Sequence, residues 1–505
     1  GAWSVPRLNG EIYTQKPPLL FWSINAAALL TGELDETAAR IPLAIAAIGS
    51  LLLVYRIGER LFSRRAAWIT VAAYGTCLRV LWQGRFGQID MLLAVFVTLG
   101  VWFWVRGYTE RKPHLYYLFF LSAGLATLAK GPVGLLPPLL SILAFLALTG
   151  QGGEIRRLRL GTGLLVWAAV VLAWLLPAAQ SGGREYLEQI VYKQNVTRYA
   201  NPWHHHRPFY YYLTVVPAEY FPWSFLLPTA LVLGWRRIVG GRTGLRQMRS
   251  PVLPFDARHG FLFALCWMVI TILFFSLSSG KRSVYVLTMY PAMALMIGAV
   301  LDRLALDWPR DRRWLTVPFA ALTLLAILIV LGLPIAGRGR PEAAPMGGDR
   351  LVWMVTAAFL SLLLRAAGAW WQSRSGRAGR AAAALAAGMG TLMLVTALLL
   401  LPRFDAVKSA RDLARVLRRE MGPGEPYGIY PRLDSTFLFY SRRFAVDLNS
   451  EAELQEFVRR PGRIWLLIRR DELPKLQQPL PPLVEVARDA DVREGYVLLT
   501  HPAAH

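Results

Sequence analysis

Apolar stretches long enough to cross a bilayer, parted by short polar ones, dominate the chain from residue 41 to 401. They fall at 41–56, 68–82, 90–105, 115–129, 131–148, 162–178, 210–235, 260–277, 283–301, 315–335, 351–371 and 381–401. A bilayer core asks for about 20 apolar residues per helix, so this pattern predicts twelve transmembrane helices. The stretch 17–30 is short for a span and better suits an interfacial helix. After Pro402 the pattern changes. Residues 405–420 and 451–459 are helical in period, and β-like runs fall at 427–430, 444–446, 464–468 and 496–500. These readings give three parts: a loop and interfacial helix at 1–40, a transmembrane domain at 41–402, and a small α/β domain at 403–505. The fold class expected is an all-α polytopic membrane protein with a small C-terminal α/β domain.

Composition agrees. Of the 505 residues, 55% are hydrophobic and 17% charged, against about 25% charged in soluble chains. Mean hydropathy is +0.37. The net charge of +24 would suggest nucleic acid on a soluble protein. Here the arginines crowd every second loop, such as Arg156, Arg157 and Arg159, or Arg374, Arg377 and Arg380. Topology explains that bias, with basic loops inside, and no nucleic-acid partner is expected. The remaining loops, residues 1–40 and the tail then face outward. Cys77 and Cys266 lie in or beside apolar segments and offer no disulfide framework. The opening from Gly1 reads as a loop entered midway, so a further N-terminal helix is expected.

The outward loops hold polar residues that need explaining. "YTQKPPLLFW" sets Tyr13, Gln15 and Lys16 before a helix opened by prolines. A lysine beside helix N–H groups makes an anion site, although lysines also snorkel at interfaces without function. Only seven lysines stand against 49 arginines, yet Lys16, Lys130 and Lys281 all fall at outward membrane–loop junctions. Asp90 opens an apolar span, where a carboxylate is expensive unless paired. It is either a helix cap or a functional acid, with Arg85 a candidate partner. In "LAKGPVG" the turn needs Gly131 and Pro132 but not Lys130. The long loop at 184–213 carries Asn195, Arg198, three consecutive histidines (His204, His205 and His206) and an aromatic run, Tyr210 to Tyr212, that an interfacial belt also explains. A further loop supplies Lys281, Arg282, Tyr285 and Tyr290. Cations prevail on this face, so a phosphate or phospholipid headgroup is the expected ligand. A transporter or flippase of anionic lipid or solute is the competing class. It would bury paired ionisable groups at the midplane and show repeats, whereas these polar residues crowd one interface.

"PRLNGEIYTQKPPLLFW", "GQIDMLLAVF", "LAKGPVG", "HHHRPFYYYL" and "KRSVYVLTMYP", in this order, resemble the bacterial relatives of protein O-mannosyltransferases, close to the lipid A aminoarabinose transferases. The resemblance implies a GT-C fold in the bacterial inner membrane, monomeric, with its active face toward the periplasm. It implies transfer of a sugar from a polyprenyl (undecaprenyl) phosphate donor to a lipid A-like lipid or a protein. Lys16, Tyr13, Lys130, Tyr285, Lys281 and Arg282 would then meet the donor phosphate. Gln15, Arg85, Asn195 and Arg198 would line the substrate site. Asp90 would orient or activate an acceptor, and the family's principal acid is expected upstream of Pro6. His205 or His206 would match a histidine that binds a divalent metal ion, Zn or Mg. Gln15 stands where the transferases carry a metal-binding Glu, and Gln is a poor metal ligand.

Overall fold

Helix boundaries along the chain follow caps and prolines. The computed structural model describes residues 3–197, 206–240, 256–306, 311–337, 348–489 and 495–502. Pro18 precedes α1 (Leu19–Thr31), which ends on Gly32 in the left-handed conformation. The Asp35 side chain accepts the Ala38 N–H at 2.7 Å and caps α2 (Glu36–Leu61). Ser63 does the same for α3 (Arg64–Gly75) through Ala66, and its hydroxyl also reaches Asp302 at 2.9 Å.

The chain divides into two units. The first comprises 1–6, 12–328 and 360–393. After α3 and the short α4 (Leu78–Gln83) come α5 (Asp90–Thr109), α6 (Leu115–Lys130), α7 (Leu136–Leu148), α8 (Gly152–Arg157) and α9 (Leu160–Leu187). Helices Tyr211–Glu219, Leu227–Leu233, Ala257–Leu277 and Tyr290–Leu306 follow. The span centred on Tyr290–Leu306 is 94% buried, which makes it the central post of the unit. Close approaches use small residues. Gly163 of α9 faces the Phe120 ring of α6, and Gly298 lies against Thr70 and the Ala66 carbonyl of α3. Val5, Leu128, Trp174, Ala178 and Tyr186 form a buried cluster. The Trp174 indole donates to the Ser4 carbonyl at 2.8 Å, so the N-terminal segment is tied to α9.

All twelve apolar segments contain helix, with differences from the expected spans. Residues 68–82 split into α3 and α4 at Thr76–Cys77. The stretch 210–235 breaks at Tyr220–Pro222 into two α-helices joined by a 3-10 turn. Among the described residues, eight helices are long and apolar enough to cross a membrane, and α1, α6 and the helix 132–148 are shorter.

The second unit comprises 7–11, 329–359 and 394–505. Two short strands near the N-terminus, β1 (Arg7–Leu8) and β2 (Glu11–Ile12), pair with each other, and the five-stranded sheet of the second unit has the order β4-β3-β5-β7-β6. The strands are β3 (Tyr427–Tyr430), β4 (Val446–Asp447), β5 (Trp465–Arg469), β6 (Val484–Arg488) and β7 (Tyr496–Thr500). β3 runs parallel to β4 and β5, while β7 is antiparallel to β5 and β6. β6 was not expected from the sequence; its residues are mostly exposed, and an edge strand buries little. Alternate residues face opposite ways. Tyr427, Ile429, Trp465 and Leu467 pack with the helix Arg411–Glu420, and Leu466, Ile468 and Val497 pack with Glu451–Val458. Asn9 joins this unit by a two-way amide pairing with the backbone of Ala445, at 2.7 and 2.9 Å.

Candidate functional site

α5 and α6 form an antiparallel hairpin with a short turn, so the start of α5 meets the end of α6. Asp90 is the first residue of α5 and Lys130 the last of α6. A carboxylate at a helix N-terminus and an ammonium at a C-terminus both suit the helix dipoles. Asp90 is 6% exposed and does not cap its helix. Its carboxylate accepts a hydrogen bond from the Lys130 ammonium in a pair whose side chains are 8% and 12% exposed. The same ammonium lies 4.4 Å from the centre of the Tyr285 ring, within cation–π range. Tyr285 belongs to the 3-10 turn Ser283–Met289, and its ring packs 5.6 Å from Phe275. Three residues singled out separately in the sequence are thus in one place. Arg85 is corrected here: it is exposed, and Lys130 rather than Arg85 pairs with Asp90.

Lys281 is placed differently from expectation. It is 3% exposed, and its ammonium donates to the Ser278 carbonyl and, at 3.1 Å, to the Arg207 carbonyl. Burial pushes its pKa below the ordinary lysine value. The segment 206–207 pairs with 279–280 through the His206–Gly280 bridge and the Arg207 N–H to Ser279. Lys281 therefore clamps two loops. Arg282 is exposed, and its carbonyl accepts from the Tyr212 hydroxyl at 3.3 Å. Tyr13 is half-buried with its ring edge-on to Phe21 at 5.7 Å. Lys16 is half-buried and Gln15 exposed in the turn before α1.

Arg198 and His205 lie outside the described residues, as does the side chain of Asn195. Among the described residues no group of three His, Cys, Asp or Glu side chains converges to hold a metal ion. His206 is exposed and held through its backbone.

A second ionic group was missed from the sequence. Arg79 of α4 pairs with Glu219, the two side chains being 18% and 12% exposed. Arg79 also donates to the Ser283 hydroxyl at 2.8 Å, and the Tyr290 hydroxyl donates to Glu219 at 3.1 Å. This network grips both ends of the turn that carries Tyr285. The signal was available: Glu219 is an acid inside an apolar run, as Asp90 is.

Residues 15–178 match the family model described as dolichyl-phosphate-mannose-protein mannosyltransferase. The undecaprenyl phosphate-alpha-4-amino-4-deoxy-L-arabinose arabinosyl transferase of Pectobacterium carotovorum is 30% identical over 348 residues, 66% of this chain and 58% of that protein. The enzyme of the same name from Erwinia tasmaniensis is 27% identical, with the same coverage. The match therefore spans less than two thirds of these relatives. ArnT from Cupriavidus metallidurans, solved with undecaprenyl phosphate bound, aligns over 99% of this chain and 91% of its own at a TM-score of 0.81, with 22% identity. The chain is related to these transferases. It shares the GT-C fold of a polytopic helical membrane protein, as the five motifs implied.

Proposed function

We propose that the protein is a membrane glycosyltransferase that moves a sugar from a polyprenyl phosphate to an acceptor at the outer face of the bacterial inner membrane. The observation that carries this reading is the buried Asp90–Lys130 pair against Tyr285 at one end of the helical unit. An ammonium fixed at a helix end, in a poorly solvated place, is suited to charge that develops on a leaving phosphate. The acceptor oxygen attacks the anomeric carbon, and the bond from that carbon to the phosphate oxygen breaks, its electron pair leaving on the polyprenyl phosphate. A hydroxyl acceptor passes its proton to a carboxylate, and a phosphate acceptor needs no deprotonation. Asp90 holds Lys130 in position. Lys16 and Tyr13, before α1, are assigned to the donor phosphate on the strength of the motif match and of the bound undecaprenyl phosphate in the Cupriavidus relative.

The acceptor is a lipid A-like lipid or a protein, and the enzyme acts as a monomer. Transfer of labelled sugar from a synthetic polyprenyl phosphate in proteoliposomes, offered lipid and protein acceptors in turn, tests the reading. A labelled glycoconjugate that Lys16→Ala abolishes is the expected result. Unchanged transfer in that variant overturns the donor site, and labelled lipid that changes leaflet without forming a product would make the protein a transporter.

A further inference from the structure

The motif "PRLNGEIYTQKPPLLFW" holds a residue that the proposed chemistry leaves unused. β1 and β2 are joined by Asn9–Gly10, and both residues lie in the left-handed region, with φ of 54° and 84°. A two-residue hairpin turn asks for that backbone, and Asn-Gly supplies it. The turn makes no further demand on the Asn9 side chain. Yet its amide donates to the Ala445 carbonyl at 2.7 Å and accepts the Ala445 N–H at 2.9 Å. It thus satisfies both polar groups of a buried backbone residue 436 positions away in sequence. Glycine would serve the turn as well, so the amide has a second purpose.

That purpose follows from what the two ends of the hairpin meet. Its base lies in the first unit. There the Tyr13 N–H donates to the Pro6 carbonyl at 2.8 Å, and the Trp22 and Trp174 indoles donate to the Trp3 and Ser4 carbonyls, each at 2.8 Å. Residues 7–11 belong to the second unit, and the chain returns to the first at Ile12. The strands cannot hold themselves. Each is two residues long with both residues exposed, and a lone hairpin is marginal in water. The Asn9–Ala445 pairing supplies the hold that they lack. Tyr13 follows directly on β2, and Lys16 lies three residues further, at most about 11 Å along the chain. Any swing of the hairpin is therefore passed to both.

We propose that Asn9 is a positioning residue for the donor loop, its amide holding the hairpin so that Tyr13 and Lys16 are presented to the polyprenyl phosphate. This rests on the assignment of those two residues to the donor phosphate made above. Without the amide the loop spends a smaller fraction of its time in the receiving conformation, and apparent affinity falls by that fraction. Saturating donor restores the conformation, so the loss sits in the donor KM and spares kcat. Asn9→Gly is the variant to use, because glycine keeps the left-handed turn and removes only the amide. The full chain is assayed in proteoliposomes with donor and acceptor varied separately, and amide hydrogen exchange is followed over residues 11–18. Two neutral hydrogen bonds of ordinary strength make the expected rise in donor KM about tenfold. The kcat and the acceptor KM should stay at wild-type values, and exchange at the Tyr13 amide should quicken. Asn9→Asp also keeps the turn but sets a second oxygen against the Ala445 carbonyl, and should behave as N9G. A lower kcat at unchanged donor KM would mean lost folded enzyme and overturns the proposal, as does unchanged exchange at Tyr13. Lys16→Ala, run alongside, separates the two readings. If it abolishes transfer while N9G keeps the wild-type donor KM, only the role of Asn9 fails. If it leaves transfer unchanged, the donor-site assignment fails and this proposal with it.

Discussion

Replacing Lys130 by Met separates the structural and chemical roles of the Asp90 pair. At an effective dielectric of about 20, a charge-assisted contact of about 2.8 Å is worth about 6 kcal/mol of attraction, much of it offset by desolvation of both groups. With side chains 8% and 12% exposed, Asp90 has little water to turn to once Lys130 is gone. Removing one partner of such a pair costs about 3–5 kcal/mol, because a charge is left buried and unpaired. The double variant D90N/K130M removes both charges and is expected to recover most of that loss. Transfer should respond differently. If Lys130 stabilises the leaving phosphate, K130M loses about 10²–10³-fold in rate, and D90N/K130M stays equally slow. The assay is apparent Tm in one detergent beside the transfer rate in proteoliposomes for wild type, D90N, K130M and the double variant. Recovery of both stability and transfer in the double variant would show that the pair only supports the fold. An unchanged Tm in K130M would refute its burial.

The Arg79–Glu219 pair is comparably buried, so Glu219→Gln is expected to lower the apparent Tm and R79M/E219Q to restore most of it; equal Tm values for E219Q and wild type would count against the network. Gly298→Ala sets a Cβ 2.1 Å from the Thr70 hydroxyl oxygen and 2.6 Å from the Ala66 carbonyl, and is expected to destabilise by about 1–3 kcal/mol. A thermal melt indistinguishable from wild type would mean the α3 contact is looser than described. In the second unit, burial pushes the Glu425 pKa up, but hydrogen bonds from the Trp465 indole and the Gly422 N–H, with Arg463 and Arg443 nearby, hold it below the ordinary 4.5. A depressed carboxylate stabilises fully above its unfolded pKa and loses that contribution as pH falls through the folded value. The stability advantage of wild type over E425Q should therefore be constant near neutrality and shrink below pH 4.5. Urea unfolding from pH 3 to 7 checks this, and an advantage that grows on acidification would refute it.

Much of this site was legible from the chain alone, though not its pairing. Asp90 and Lys130 were each conspicuous as charged residues at the edge of an apolar span. Nearness in sequence alone points to Arg85 as the partner of Asp90. The better guide was the hairpin: 90 and 130 lie at equal distances from 110, where α5 gives way to the turn before α6. Two antiparallel helices of similar length bring such positions together whatever the local sequence. Glu219 escaped notice because it sits among aromatics and prolines that read as one continuous span. The structure breaks that span at Tyr220–Pro222, which leaves the carboxylate at a helix end facing Arg79.

Two of the lysines kept by an arginine-rich chain, Lys130 and Lys281, are explained by different local chemistry. Lys130 meets a carboxylate and an aromatic face at once, and a compact ammonium serves both with one atom. Lys281 donates to two backbone carbonyls on separate loops while almost wholly buried. Three donors on a single nitrogen can diverge toward such targets, whereas a planar guanidinium has its donors fixed in a fork and needs more room. The basic loops place no such demand, since their arginines mostly lie exposed, and there the chain writes Arg. At these two positions the retained lysine therefore marks a crowded site that needs a point charge. It does not by itself mark contact with substrate, because at Lys281 the crowd is the protein's own backbone.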